Sequence, residues 1–204
     1  KNNHMTILII DYGMGNLLSL TSAISKIDKE VNIIISNKKN DIKKANAIFL
    51  PGVGHFKKAM ENLHSFNLID CLNEFALTQK RPVLGICLGM QLMAKYGEEG
   101  DCNGLGWVDG RVKKFNITDN LKFKIPHTGW NQIKHQKESA LMDKIQNSTE
   151  FYFVHSYFFQ TDDKDIILNT TNYAGSFISA IQNENFFGVQ YHPEKSHDQG
   201  LQLL

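Results

Sequence analysis

The chain has 204 residues, which is long enough to bury a hydrophobic core and is typical of one globular domain. Its formal net charge is +1, with 42% hydrophobic and 21% charged residues, the composition of an ordinary soluble protein. A net charge so near zero gives no bulk electrostatic basis for binding nucleic acid or an anionic membrane, so we predict neither partner.

No apolar run approaches the roughly 20 residues that span a bilayer, and no signal peptide is visible. The cysteines, Cys71, Cys87 and Cys102, are odd in number and lack CxxC spacing, which disfavours a disulfide framework. A reducing cytoplasm is therefore the predicted compartment. We interpret residues 1–4 as a cloning remnant and expect a single domain over 5–204.

The first half of the chain begins with a strand and a helix. The apolar run "TILIID" (6–11) is typical of a strand buried on both faces. Asn16 is predicted to cap the helix that follows. Apolar residues recur at helical spacing through that segment: Leu17, Leu20, Ala23, Ile24 and Ile27.

Strand-like and helix-like segments continue to alternate after this point. Further strands are predicted at 31–36, 47–50 and 81–86, and helical segments at 55–78 and 88–96. Strands that alternate with helices imply right-handed crossovers and a parallel sheet.

The second half is richer in β-forming residues, with turn residues between the runs. The runs are "GWVDGRVKKF", "EFYFVHSYFFQT", "DIILNTTNYAG", "FISAIQNEN" and "FFGVQYHPE". They indicate antiparallel additions to the sheet. We therefore predict an α/β fold with a single open, mixed, mostly parallel sheet flanked by helices and a β-rich second half.

Cys87 lies between two glycines in "GICLG", where a predicted strand passes into a predicted helix. A nucleophile between glycines suits a sharp, strained turn, and the start of a helix favours an ionised sulfur. The N–H of Leu88 is then a candidate oxyanion donor. Taken alone, the motif is equally compatible with a buried structural cysteine.

A base and an orienting carboxylate are present in "GVQYHPEKS". His192 follows a predicted strand, and Pro193 stiffens the step to Glu194. His192 would accept the Cys87 proton and Glu194 would hold the imidazole in the required tautomer. An ordinary strand end with a solvated glutamate is the alternative for this motif alone.

A glycine-rich turn, "PGVG" (51–54), follows another predicted strand. Glycines on both sides of Val53 permit unusual backbone angles, so an N–H group can turn toward developing negative charge. The turn matches neither a dinucleotide fingerprint nor a phosphate-binding loop. Zinc deaminase chemistry is also disfavoured because PCxxC is missing, and the order cysteine, histidine, glutamate differs from that of α/β-hydrolases.

Together, PGVG, GICLG and HPE resemble in type and order the motifs of the class I (triad) glutamine amidotransferases. The resemblance implies a flavodoxin-like fold and hydrolysis of glutamine to glutamate and ammonia, without a cofactor or a metal. By the same resemblance, Cys87 is the nucleophile, His192 the base and acid, and Glu194 the orienting carboxylate. It also implies a set of residues that contact glutamine or its oxyanion: Gly52, Val53, Gly54, Leu88, Gln91, Ser156 and Tyr157.

Within that class, other segments most resemble the glutaminase subunits of histidine biosynthesis: "DYGMGN", "PGVGHF", "PHTGWN", "FYFVHSY" and "GVQYHPEKS". This resemblance implies a heterodimer in which ammonia passes to a (β/α)8-barrel cyclase, with Trp130 and Asn131 at the interface. Thr128 departs from the methionine expected in this partner-facing loop.

Three alternatives stay open on sequence alone: an amidotransferase serving another synthase, a cysteine peptidase or γ-glutamyl hydrolase, and a catalytically silent binding subunit. The Gly-Val-Gly turn further suggests that the isolated subunit is a poor glutaminase until its partner reorients the turn.

Overall fold

The computed structural model describes residues 5–117 and 123–196. The predicted remnant at 1–4 and the end of the predicted domain at 197–204 lie outside the described residues. In the described part, a twelve-stranded mixed sheet forms the centre of the fold, and a second sheet has two strands. No helix in those ranges combines the length and the apolar character needed to cross a membrane.

The strands, numbered in chain order, are β1 Thr6–Ile10, β2 Asn32–Ser36, β3 Ala47–Leu50, β4 Val83–Ile86, β5 Ala94–Gly97, β6 Cys102–Asn103, β7 Val108–Lys114, β8 His127–Gln132, β9 Lys134–His135, β10 Glu150–His155, β11 Tyr157–Thr161, β12 Ile167–Asn172, β13 Ser176–Asn183 and β14 Phe186–Val189. The α-helices are α1 Leu17–Ile27, α2 Lys39–Lys44, α3 Phe56–Ser65, α4 Ile69–Asn73 and α5 Leu88–Gln91. A π-helical turn, Glu74–Thr78, extends α4, and short 3-10 turns occur at Ala140–Met142, Lys164–Ile166 and Pro193–Lys195.

The parallel part of the main sheet has the order β2-β1-β3-β4-β14. Because the strands are parallel, their carboxyl ends meet at one edge of the sheet. β3 ends at Leu50, β4 at Ile86 and β14 at Val189, and each is followed by one of the three motifs found in the sequence. The topology thus brings PGVG, GICLG and HPE to the same edge.

Strand β1 is covered on both faces, which explains its uninterrupted apolar run. Leu8 and Ile10 belong to one buried cluster, whereas Ile9 between them belongs to another on the opposite face. Successive side chains of a strand point to opposite faces, so a central strand needs apolar residues at every position.

The second half of the chain extends the sheet beyond β14. β13 pairs antiparallel with β14, β11 pairs antiparallel with β13, and β7 pairs antiparallel with β11. β12 pairs antiparallel with β13, and β5 joins β7 in parallel. The predicted α/β fold, with a mixed sheet, flanking helices and a β-rich second half, is confirmed.

The helix predicted over 88–96 is wrong beyond its first turn, since α5 ends at Gln91 and β5 begins at Ala94. Residues after α5 exchange backbone hydrogen bonds with the loop before β7: Leu105 N–H donates to Leu92 and Val108 N–H to Met93. These long-range bonds override the helical propensity of the segment.

The run "EFYFVHSYFFQT", which the sequence predicts as one addition to the main sheet, is divided at Ser156. β10 pairs with β8 in the small sheet, whereas β11 pairs with β7 and β13 in the main sheet. The chain therefore changes sheets at Ser156. Helix α2 has no counterpart among the predicted elements because only Ile42 in it is buried, which leaves no apolar periodicity to detect.

Candidate active site

Cys87 occupies a strained corner between β4 and α5. Its backbone angles are φ 54° and ψ −110°, a conformation that residues other than glycine adopt at a cost of about 1–3 kcal/mol. The corner is held by a 2.7 Å hydrogen bond from the Cys87 N–H to the Val189 carbonyl of β14. Gly89 is required because a Cβ there would overlap the carbonyl oxygen of Leu50.

The helix that follows Cys87 is short. α5 comprises four residues, so the dipole of a long helix, which the sequence motif led us to expect beside an ionised sulfur, is limited here to a single turn. Neighbouring side chains must therefore supply most of the electrostatic environment of the sulfur.

His192 reaches Cys87 because β14 lies next to β4 in the sheet, with Val189 paired to Ile86. The His192 N–H donates to the Tyr152 carbonyl of β10 at 2.9 Å. The Ser196 hydroxyl donates to the His192 carbonyl at 2.5 Å. Backbone bonds on both sides thus fix the position from which the imidazole projects.

The imidazole of His192 donates from Nδ1 to Oε1 of Glu194 at 2.7 Å, and both side chains are buried. Burial alone would lower the pKa of His192, but the charge and proximity of a Cys87 thiolate, together with the Glu194 carboxylate, outweigh it and raise the pKa to about 10. The Nε2 atom of His192 is buried without a hydrogen-bond partner of good geometry among the described residues. Because Nδ1 keeps its proton to donate to the Glu194 carboxylate, Nε2 is the ring atom left to receive a proton.

The sulfur of Cys87 has two other polar neighbours. Its S–H can donate to the Val154 carbonyl at 3.8 Å, and Nε2 of Gln190 donates to the sulfur at 3.6 Å. Gln190 is fully buried and is absent from the residues that the sequence predicts for the site. Its position in "GVQYHPE", two residues before His192, was the available signal.

The turn at 51–54, here called the oxyanion turn, does not present its predicted donor to Cys87. The N–H of Val53 donates to the Met14 carbonyl at 2.9 Å, and the N–H of Leu88 donates to the Gly52 carbonyl at 3.2 Å. The Gly52 carbonyl and the Val53 N–H belong to the same peptide unit. In this orientation of the Gly52–Val53 peptide, the two predicted oxyanion donors, the N–H groups of Val53 and Leu88, are therefore both bonded to backbone carbonyls.

The start of the oxyanion turn is held by Tyr12, whose buried hydroxyl donates to the Pro51 carbonyl at 2.5 Å. Burial, together with the charge of Cys87, raises the pKa of Tyr12 far above its usual value, so the hydroxyl stays neutral. Gly52, within the turn, packs closely against Leu88, since a Cβ at residue 52 would lie 2.9 Å from Cβ of Leu88. Tyr12 is also missing from the sequence predictions, although it lies within "DYGMGN".

A cavity of about 330 Å³ opens beside Cys87. It is lined by predicted site residues together with several others: Val53, Gly54, Cys87, Leu88, Gln91, Glu99, Pro126, Val154, His155, Ser156 and Tyr157. Nε2 of Gln91 donates to the Tyr157 carbonyl at 3.2 Å and to Oε1 of Gln190 at 2.9 Å. These two bonds orient the Gln91 amide and leave its oxygen available to a ligand.

Glu99 is a charged residue of the cavity wall that the sequence predictions omit. Its Oε1 accepts a 2.6 Å hydrogen bond from the N–H of Phe56, at the start of α3. The adjacent acids in "YGEEG" were the only signal, and nothing local distinguishes them from a solvated pair.

Trp130 and Asn131 lie on β8, outside the wall of this cavity. The Trp130 side chain is 43% exposed and its ring packs 6.0 Å from that of Tyr152. Asn131 donates to the Asn172 carbonyl and contacts His127.

Across residues 5–117 and 123–196, no group of three or more His, Cys, Asp or Glu side chains is arranged to hold a metal ion.

Comparison with known proteins places residues 8–204 in the family model described as glutamine amidotransferase class-I. A curated relative from Pelagibacter ubique, imidazole glycerol phosphate synthase subunit HisH, is 43% identical over 98% of this chain and 97% of its own. Imidazole glycerol phosphate synthase subunit HisH 2 of Methanococcus maripaludis is 46% identical over 97% of this chain and 96% of its own.

A solved structure supports the fold. A glutamine amidotransferase of Thermotoga maritima matches 95% of this chain, over 77% of its own length, with a TM-score of 0.67. At 15% sequence identity, this likeness concerns the fold alone.

Proposed function

This chain belongs to the class-I glutamine amidotransferase family, and we propose that it is the glutaminase subunit of an imidazole glycerol phosphate synthase in histidine biosynthesis. The observation that carries the catalytic part is the 2.7 Å contact of His192 Nδ1 with Glu194, which leaves Nε2 unoccupied beside a strained Cys87. Nucleophile, base and orienting carboxylate are the parts that acyl transfer through a covalent intermediate requires.

In the first half-reaction, His192 Nε2 takes the proton of Cys87 and the sulfur attacks the side-chain amide carbon of glutamine. A C–S bond forms and the carbonyl oxygen becomes an oxyanion. As the C–N bond breaks, the imidazolium gives its proton to the departing nitrogen, which leaves as ammonia. Glu194 stabilises the imidazolium between these steps, in accord with the raised pKa of His192.

In the second half-reaction, water attacks the γ-glutamyl thioester. Neutral His192 accepts a proton from the water as it attacks, the C–S bond breaks, and the proton returns to the sulfur. Glutamate is released and the thiol is restored.

Substrate glutamine fits the polarity of the cavity wall. The Gln91 amide oxygen, left free by the bonds of its Nε2, accepts from a substrate N–H group. The Glu99 carboxylate supplies negative charge for the substrate's α-ammonium group, and the backbone at Ser156 and Tyr157 holds the amino-acid end. The small cavity is suited to a single amino acid rather than to a peptide.

The oxyanion turn provides a switch for turnover. If the peptide between Gly52 and Val53 turns over, the bonds to Met14 and Leu88 break together and both N–H groups become available to the oxyanion. A single oxyanion donor contributes about 3 kcal/mol, or roughly a hundredfold or more in rate. The resting subunit is therefore a poor glutaminase, and partner binding that favours the turned peptide activates it.

The partner is a (β/α)8-barrel cyclase subunit, which uses the ammonia to make imidazole glycerol phosphate and an aminoimidazole carboxamide ribotide. Trp130 and Asn131 contribute to that interface; the exposed Trp130 ring offers the aromatic anchor that interfaces favour. We assign the reaction to the cytoplasm, because Cys71, Cys87 and Cys102 are free thiols and a nucleophilic cysteine must stay reduced.

A partner exchange tests this function. Purified chain is mixed with glutamine and either a cyclase of imidazole glycerol phosphate synthase or the synthetase subunit of GMP synthase, with ammonium salt in parallel reactions. We expect glutamine-dependent product and faster glutamate release only with the cyclase. Stimulation by the GMP synthetase but not by the cyclase would assign the chain to another branch of the class. Glutamate release at equal rates with and without the cyclase would contradict the proposed switch.

A further inference from the structure

Two buried histidines that the proposed mechanism does not use lie beside the active-site cavity. His127, at the start of β8, is 3% exposed, and His155, at the end of β10, is 6% exposed. Nδ1 of His127 lies 3.0 Å from Nε2 of His155. The His127 ring is stacked between the rings of Phe153 and Tyr173, at centroid distances of 4.9 and 4.0 Å.

The direction of the hydrogen bonds through this pair follows from the group at its inner end. Nδ1 of His155 lies 2.8 Å from the Tyr157 carbonyl, and because a carbonyl only accepts, Nδ1 carries the proton. In a neutral ring, Nε2 of His155 is then an acceptor. The proton between the two rings must therefore belong to Nδ1 of His127.

The outer end agrees with this assignment. With Nδ1 of His127 protonated, its Nε2 is an acceptor, and Nδ2 of Asn131 lies 3.3 Å away as the donor. The Asn131 amide is held in that orientation because its nitrogen also donates to the Asn172 carbonyl and its oxygen accepts from the Gln132 N–H. Every bond from Asn131 inward thus points the same way.

Burial keeps both rings neutral, as this arrangement requires. It lowers the pKa of His127 to about 4. It lowers the pKa of His155 to about 3, against the opposing effect of the bond to the Tyr157 carbonyl. Hydrogen bonds aligned in one direction in a buried setting polarise and strengthen one another.

The inner end of the chain of bonds is part of the candidate substrate site. The Tyr157 carbonyl accepts from His155 at 2.8 Å and from Nε2 of Gln91 at 3.2 Å. Gln91 and His155 both line the cavity next to Cys87. A displacement of His155 would therefore shift the carbonyl that fixes the Gln91 amide.

We propose that His127 and His155 are positioning residues, which with Asn131 and the Tyr157 carbonyl form a one-directional histidine relay that sets the affinity of the site for glutamine. The relay links β8, where the proposed partner residue Asn131 lies, to the amide of Gln91. The role rests on the proposed glutaminase function, because the relay positions that reaction's substrate site.

The first test is the tautomer of each ring in the full-length protein labelled with ¹⁵N-histidine. Free histidine favours the Nε2–H tautomer, whereas the relay requires Nδ1–H in both rings. We expect two Nδ1–H imidazoles by NMR, assigned by their individual loss in His127→Phe and His155→Phe. An Nε2–H tautomer at either position in the wild-type protein would overturn the relay, and this readout needs no variant to be active.

The second test separates positioning from stability. His127→Phe keeps a flat ring between Phe153 and Tyr173 but removes both ring nitrogens, whereas His127→Asn restores a donor near the Nδ1 position. With the cyclase present, we expect His127→Phe to raise KM for glutamine about three- to tenfold with little change in kcat, as for loss of one hydrogen bond. His127→Asn should recover part of this loss.

The matched control is His135→Gln, because Nε2 of His135 makes a comparable 2.7 Å bond to the Ile145 carbonyl outside the relay. We expect its KM to equal that of the wild type. An unchanged KM in His127→Phe, or a loss confined to kcat, would overturn the positioning role while leaving glutaminase activity established. A wild-type protein that neither binds nor hydrolyses glutamine would refute the proposed function and this role with it.

Discussion

The proposed triad and the oxyanion turn lie at the same edge of the sheet but differ in their state of assembly. His192 and Glu194 are already hydrogen-bonded, and Nε2 of His192 has no competing partner among the described residues. The N–H groups of Val53 and Leu88, by contrast, are both occupied by backbone carbonyls. The groups that we propose to transfer protons are thus already hydrogen-bonded in place, while the N–H groups that we propose to stabilise the oxyanion are bonded elsewhere. In the proposed mechanism, this difference places control of the rate of glutamine hydrolysis in the Gly52–Val53 peptide.

The largest effect is expected from a change in the proposed triad, which is the part of the site already assembled. Cys87→Ala removes the proposed nucleophile, and glutamine-dependent synthesis should fall by roughly 10⁴-fold or more. Synthesis from added ammonium salt should continue, because the cyclase receives ammonia directly. Both rates are measured in the complex with cyclase, and undiminished glutamine-dependent synthesis would support a catalytically silent subunit instead.

Glu194→Gln should also act through the triad. The amide keeps the size of the side chain but no longer stabilises an imidazolium, so kcat is expected to drop by about 10³-fold. Steady-state glutamate release with cyclase measures the effect. A less than tenfold change would mean that Glu194 does not orient the base.

The oxyanion turn is tested by Val53→Pro, which deletes the N–H that the turned peptide would offer to the oxyanion. We expect kcat in the presence of cyclase to fall by about 10²- to 10³-fold. Val53→Ala retains the N–H and is the matched control, with a rate near that of the wild type. Equal rates for the proline and alanine variants would exclude this N–H as an oxyanion donor.

The pKa of His192 provides a prediction about stability. Its folded value of about 10 lies above the ordinary 6.5, so the folded chain holds a proton that the unfolded chain releases as pH rises between these values. The stabilising contribution is therefore complete below pH 6.5 and is lost as pH approaches 10. Urea unfolding at pH 6 and 10 should show a smaller loss of stability with pH in Glu194→Gln, where one cause of the raised pKa is missing. An identical pH dependence in both proteins would contradict this coupling.

The smallest effect is expected from Tyr12→Phe, which leaves the buried Pro51 carbonyl without its donor. The free energy of unfolding should fall by about 1–3 kcal/mol. Because the turn is then held less firmly, glutamate release without cyclase should rise a few-fold, so the stimulation by cyclase should shrink. A lower rate without cyclase would show that Tyr12 supports the active orientation of the turn.

Much of the fold and the proposed triad followed from local patterns. The apolar run of β1 indicated a central strand, and the three motifs at strand ends indicated a shared edge, because parallel strands bring their carboxyl ends together. Cys87, His192 and Glu194 could be selected since each chemical role permits few residue types. Gln190 and Glu99 could not, because buried amides and paired acids occur commonly without any role in catalysis.

What the sequence determined by itself was the type of chemistry and the parallel half of the sheet, because both depend on residue identity and short-range periodicity. Only the tertiary structure decided that α5 stops at Gln91, that the chain changes sheets at Ser156, and that the Gly52–Val53 peptide faces Met14 and Leu88. The contacts of His127 with His155 and of His155 with the Tyr157 carbonyl, from which the tautomers are inferred, belong with these. Each is set by hydrogen bonds between segments far apart in the chain, which no local pattern records.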